Sequence, residues 1–251
     1  MNEPLPSAIS LVMRSYNEAW ALEDTLRRVF EQDYAGKIQL IVIDSGSRDG
    51  SVDIIKRYQP AHFIQITPQE YVPGKVLNQG LSLSENEWVV FLNSDATPYD
   101  RQWLPHLLQK ARETKNCGAA FSRQVPRENC KAVFAHDYDR CFGPQRESVH
   151  WDHFFSMVSC VVHRPTWEKV PFREDLQYAE DDEWSRRLKA EGYAVTFAED
   201  SRAIHSHNYS VQQSYRRAFG DTKAMAATSE QDPRNFNLHY TVLFSGLRDI
   251  Q

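Results

Sequence analysis

The chain has 251 residues, 41% of them hydrophobic and 25% charged, with a formal net charge of -5. That is an ordinary globular composition with enough length to bury a substantial core. The charges are interspersed without a basic stripe, which argues against nucleic acid as a partner, although a phosphate ligand stays open because a bound cation can reverse a local field.

Residues 1–7 lack a basic stretch followed by an apolar core, and no run approaches the roughly 20 apolar residues that span a bilayer. Neither a signal peptide nor a membrane segment is expected. Residues 9–13 are a short apolar run, read as a first strand, and 18–30 follow with Leu22, Leu26 and Val29 at helical spacing. Residues 38–43 are a second apolar run rich in β-branched side chains, followed by a turn over 44–50 and a short helix from Ser51. A third strand over 63–66, a helix over 75–83, a fourth strand over 88–92 and a helix over 101–114 complete the first half. This alternation predicts an α/β fold with a Rossmann-like, mostly parallel central sheet and helices on both faces. Ligands of such sheets bind beyond the carboxyl ends of the strands, here residues 14–18, 44–49 and 93–97.

The second half is less regular. Residues 123–152 are polar and aromatic without clear periodicity and read as a long functional excursion. Residues 155–162 are a candidate strand, 181–190 a helix with Trp184 and Leu188 on one side, 195–198 a short strand and 211–227 a C-terminal helix. Cys117, Cys130, Cys141 and Cys160 form no Cys-x-x-Cys pair, so reduced thiols and a cytoplasmic location are expected rather than a disulfide frame or a zinc site. No repeat, low-complexity tract or linker divides the chain. One domain over 1–251 is expected, with a first half over about 8–122 and a second over about 123–251.

Four groups of residues could carry chemistry. Asp44, followed by Ser45, Gly46 and Ser47, can accept from a base N–H, or it can close an Asx turn before the next helix. Asn93, Ser94 and Asp95 end the fourth strand; a carboxylate there tolerates a diphosphate only with magnesium or manganese between them, and it fits a turn aspartate equally. The run Glu180-Asp181-Asp182-Glu183 opens a helix, where its charge suits the dipole. Crowding raises the pKa of at least one of these carboxyls, as a general base requires, although a solvated acidic turn has the same pattern. His205 and His207 share a face of an extended segment, which suits a metal site and equally two surface histidines.

Five segments occur in order: Arg14-Ser15-Tyr16-Asn17-Glu18, Ile43-Asp44-Ser45-Gly46-Ser47-Arg48-Asp49-Gly50, Gly74-Lys75-Val76-Leu77-Asn78, Phe91-Leu92-Asn93-Ser94-Asp95-Ala96 and Glu180-Asp181. Together they strongly resemble the motifs of family 2 glycosyltransferases of the GT-A fold, over roughly residues 8–210. The resemblance implies inverting transfer of a sugar from a nucleotide-diphosphate donor to an acceptor hydroxyl in bacterial cell-surface glycan synthesis. It places Tyr16 and Glu18 in a nucleoside pocket, Asp44 on a pyrimidine base with Ser47 in the same turn, and Lys75 and Asn78 beside the nucleotide. Asn93, Ser94 and Asp95 stand where the family has Asp-x-Asp, Asp95 matching the acid that binds metal and diphosphate. Asp181, beside Glu180, matches the base, and His205 matches the histidine that closes the metal site.

The implied cofactor is manganese or magnesium. The implied partners are a nucleotide-sugar donor and a glycan or lipid-linked glycan acceptor, met at the inner face of the cell membrane by a peripheral protein. Asn93 departs from the family pattern because an amide brings no charge, so a nucleotide-sugar-binding relative without turnover is the alternative. A sugar nucleotidyltransferase fits less well, since residues 14–19 contain no glycine. Arg123-Gln124-Val125-Pro126 and His205-Ser206-His207-Asn208-Tyr209-Ser210 look like rhamnosyltransferase-like bacterial members, which implies a deoxythymidine-diphosphate rhamnose donor. His207 lies about 6 to 7 Å beyond His205 along an extended chain. Asp95, His205 and His207 are the candidate metal ligands; both histidines can ligate only if the segment curls, and in an extended segment His205 holds the metal while His207 faces donor or acceptor.

Overall fold

A computed structural model describes residues 4–151 and 153–228, so the expected domain limits at 1 and 251 lie outside the described residues. The apolar runs become the centre of the sheet. β1 (Ala8–Ser15) pairs in parallel with β2 (Lys37–Asp44) and with β4 (Trp88–Asn93), and β2 pairs in parallel with β3 (His62–Gln65). Such strands are covered on both faces, which is why they read as near-continuous Ile, Leu and Val. Alternate β1 side chains feed opposite layers. Ile9, Leu11 and Met13 pack with Leu22 and Leu26 of α1 (Ala19–Phe30) and with Trp103 and Leu104 of α4 (Trp103–Glu113). Val12 packs with Leu77 and Leu81 of α3 (Pro73–Leu83) and with Trp184 and Leu188 of α7 (Glu180–Ala190).

The second half continues the same sheet. β7 (Ser159–His163) runs antiparallel to β4 and to β6 (Cys117–Val125), β8 (Ala194–Ile204) runs parallel to β6, and β5 (Thr97–Pro98) closes the edge antiparallel to β8. The strand order is β3-β2-β1-β4-β7-β6-β8-β5. Helices α2 (Ser51–Arg57), α5 (Ala132–Phe142), α6 (Arg164–Lys169) and α8 (Val211–Thr228), with a 3-10 turn at Glu147–His150, complete the described elements.

Three expected elements need correction. Residues 123–152 are not one excursion: β6 runs through 125, and α5 occupies much of the remainder. The candidate strand over 155–162 shrinks to Ser159–His163, and the short strand over 195–198 lengthens to Ala194–Ile204. The division at 122/123 falls inside β6, at the register shift between Ser122 and Arg123 opposite β8. Among the described residues no helix is long and apolar enough to cross a membrane, and Cys117, Cys130 and Cys160 carry free thiols.

Candidate active site

Strand register brings the motifs together. Ser15 lies beside Asp44, and Arg14 lies beside both Ile43 and Asn93, so three segments distant in sequence meet at one edge of the sheet. A cavity of about 1690 Å³ opens there, walled on its far side by α5, residues 153–158, the first turn of α7 and α8.

Behind one wall of the cavity, and not lining it, Asp95 is 1% exposed, and its Oδ2 has no hydrogen-bond partner. The Nε2 atoms of His205 and His207 lie 3.6 and 3.7 Å from that oxygen, and the ligating atoms of the three residues lie within 4.8 Å of one another. His207 comes as near to Asp95 as His205 does: β8 ends at Ile204, and just beyond it the two rings meet at 4.7 Å between centroids.

Gln124 Oε1 sits 2.8 Å from His205 Nδ1 and can only accept, so Nδ1 carries the proton and Nε2 presents its lone pair to Asp95. Nε2 is itself buried without a hydrogen-bond partner. Burial, reinforced by the nearby positive charges, keeps His205 neutral, and burial also lowers the His207 pKa. Glu18 accepts from Ser94 Oγ; burial and the charge of Asp95 push its carboxyl upward, and burial pushes Asp95 upward too. Two raised carboxyls, two neutral imidazoles and two orphaned buried atoms fit a divalent cation with mixed oxygen and nitrogen ligands, and manganese takes both donor types.

Across the cavity, Ala179 adopts a left-handed φ of 55° and turns the chain into α7. The acidic run then divides. Asp182 pairs with Arg186 at 3.1 Å and Glu183 with Arg187 at 2.6 Å, while Glu180 faces Arg14 at 3.5 Å. Asp181 takes backbone N–H donors from Asp182 and Met157. Burial first, and then the charge of Glu180, push its carboxyl up to about 7.

Not every expected residue reaches the cavity. Tyr16 does, half exposed, as do Glu18 and Asn93, and Ser94 lies buried just behind them. Asp44 is fully buried. Its Oδ1 accepts from the backbone of Gly46 and Ser47, and its Oδ2 accepts from Ser47 Oγ at 2.5 Å. This is the Asx-turn alternative, with Gly46 supplying the φ of 89° the turn requires. Ser47 Oγ also accepts from the backbone of Asn17, tying that turn to the end of β1. Lys75 is exposed on α3, away from the cavity wall.

Asn78 is turned elsewhere altogether. Its amide donates to Phe172 O and Glu174 Oε1 and accepts from Phe172 N and Trp167 Nε1, all at 2.8–3.0 Å, which leaves nothing for a nucleotide. Neither Gln124 nor Arg127 has a role readable in the sequence. Arg127 donates to the carbonyls of Asp95 and Ser206 and lies 4.7 Å over the Trp20 ring. Gln124 stood in a quoted motif, but only the fold brings it to His205.

Residues 10–170 match the family description Glycosyl transferase family 2. The O-antigen chain rhamnosyltransferase WbaN of Salmonella anatum is 28% identical over 92% of this chain and 76% of its own length. Glycosyltransferase AglE of Haloferax volcanii is 28% identical over 82% of this chain and 68% of its own. Among solved structures, the mannosyltransferase PcManGT from Pyrobaculum calidifontis, in complex with GDP-Man and Mn2+, superposes with a TM-score of 0.70. Its identity is 20%, covering 96% of this chain and 73% of that one. The glucosyl-3-phosphoglycerate synthase of Mycobacterium tuberculosis, with Mn2+, UDP and phosphoglyceric acid, gives a TM-score of 0.61 at 16% identity, covering 90% and 80%. At these identities the structures speak for the fold, which is GT-A.

Proposed function

This chain belongs to glycosyl transferase family 2 and is a glycosyltransferase, and on that premise we propose how its cavity performs the transfer. The observation that carries the reading is one cavity with two chemically distinct walls, Asp181 on one and His205 and His207, clustered with the buried Asp95 behind them, on the other. Asp181 accepts the acceptor hydroxyl proton as that oxygen attacks the anomeric carbon from the face opposite the leaving diphosphate, inverting the centre. A carboxyl poised near neutral pH is suited to that exchange. Asp95, His205 and His207 would hold manganese or magnesium, which when bound neutralises charge on the diphosphate. Tyr16 and Glu18 line the nucleoside end, and Asn93 offers its amide to the donor.

The O-antigen chain rhamnosyltransferase WbaN among the relatives and the two quoted motifs support deoxythymidine-diphosphate rhamnose as donor and a cell-surface glycan as acceptor. The test is release of nucleoside diphosphate from a panel of nucleotide sugars with manganese, with and without Asp181→Asn. Release from one donor, lost in the variant and in excess chelator, supports the reading. Binding without release in the wild type overturns it.

A further inference from the structure

Arg14 occupies an unusual place. It is the penultimate residue of β1, at the centre of the sheet, and its side chain is 14% exposed. A guanidinium held there must find partners, because desolvating an unpaired cation is costly. Its Nε and Nη2 both donate to Asn93 Oδ1, at 3.3 and 2.9 Å. Its Nη1 lies between the Tyr71 hydroxyl at 3.4 Å and Glu180 Oε1 at 3.5 Å.

A carboxylate at 93 would take the guanidinium as a charged fork. The amide offers a single neutral oxygen, so the charge complement comes from Glu180 on the opposite wall. We propose that Arg14 is a positioning residue that ties the donor wall, through Asn93, to the base wall, through Glu180. This rests on the reading of Asp181 as the base.

Two consequences follow from the contacts. With its oxygen held by Arg14, the Asn93 side chain has its NH2 donors available to the ligand. The first turn of α7 is tethered to the end of β1, so donor and base are registered through one side chain. The groups facing Asp181 come from four elements. Glu180 of α7 opposes its ionisation, Arg217 of α8 and Arg14 of β1 favour it, and the Cys160 thiol of β7 is itself held protonated by burial. Removing the Arg14 charge therefore leaves the carboxyl harder to ionise. Lysine keeps the charge but lacks the fork that holds Asn93 and Glu180 together.

The experiment reads Asp181 directly and needs no donor. In full-length protein carrying carbon-13-labelled aspartate carboxyls, the resonance missing from Asp181→Asn is titrated in wild type, Arg14→Gln and Arg14→Lys, with thermal melts confirming the fold. The midpoint is expected to rise by about one pH unit in Arg14→Gln and to stay within about 0.3 unit in Arg14→Lys, the scale of one neighbouring charge. A midpoint unmoved in Arg14→Gln, or moved equally in both, overturns the proposal. Arg14→Met replaces Arg14→Gln should that variant not fold. The reading of Asp181 as base fails separately, if Asp181→Asn releases nucleoside diphosphate at the wild-type rate while the midpoint still follows Arg14.

Discussion

Gln124 shows how much a site depends on a residue that acts through another side chain. Its amide nitrogen donates to Ser156 Oγ at 2.8 Å and its oxygen fixes the His205 tautomer, so the ring is held from behind. Partners of this kind typically carry a tenfold to hundredfold share of metal affinity. Gln124→Leu should raise the manganese concentration that half-saturates the protein by about tenfold. The rise in melting temperature with added manganese measures this without a donor. In the same titration His205→Ala and His207→Ala should both weaken binding, and a loss confined to His205→Ala would restore the spacing argument over the observed convergence of the rings. Asp181→Asn should lower transfer by about two to four orders of magnitude. It also has a signature in stability. The folded carboxyl titrates near 7 rather than 3.8, so the native state binds the proton more tightly than the unfolded chain. This group's contribution therefore declines as pH rises from about 4 to about 7 and is level above. The asparagine variant should lose that part of the slope, visible as melting curves that diverge from wild type across this interval. Asp181 and Asp95 were legible because acids at a helix start and at a strand end carry a local pattern. Gln124, Arg127 and Arg14 were not, since their roles exist only through contacts across the fold.

At the level of elements, the Gly74-Lys75-Val76-Leu77-Asn78 motif has a different task from the one its resemblance implied. A Cβ on Gly74 would collide with the backbone carbonyl of Arg173, and Asn78 bonds the same stretch at Phe172 and Glu174. The start of α3 is therefore a dock for residues 172–174, which lead into α7 and its carboxylates. Gly74→Ala cannot be relieved by a rotamer change because the obstacle is backbone, so the segment must move, at a cost of about 1–3 kcal/mol. It should lower both melting temperature and transfer. Gly50→Ala supplies the comparison, because nothing lies within 4 Å of a Cβ there and its φ of 97° strains only the start of α2. Transfer should stay near wild type in that variant despite a lower melting temperature. Transfer unaffected by Gly74→Ala would mean the dock does not reach α7. The strands and helices of the first half were readable from apolar period alone. β6 was not, because Gly118, Ala119 and Ala120 give a strand buried between β7 and β8 without β-branched bulk.

At the scale of the whole molecule, the sequence suggested two halves and the sheet denies them independence. Phe91 of β4 pairs with Val12 of β1 on one side and with Cys160 of β7 on the other, so the strand carrying Asn93 into the cavity is shared. Parallel neighbours announced themselves through strand-helix alternation. The antiparallel return through β7 did not, since a five-residue strand paired across more than 60 positions leaves no local period. Cutting after 122 would split β6, strip β7 from β4 and leave a long apolar edge open, the usual route to aggregation. It would also leave Asp95 and Glu18 in the fragment while removing His205, His207 and Asp181. A fragment of residues 1–122 should therefore show no cooperative thermal transition by circular dichroism and no stabilisation by manganese. The full-length chain should show both. If the short fragment melts cooperatively and manganese raises its midpoint, the donor half folds on its own, and the histidines would be additions to a metal site that Asp95 and Glu18 already form.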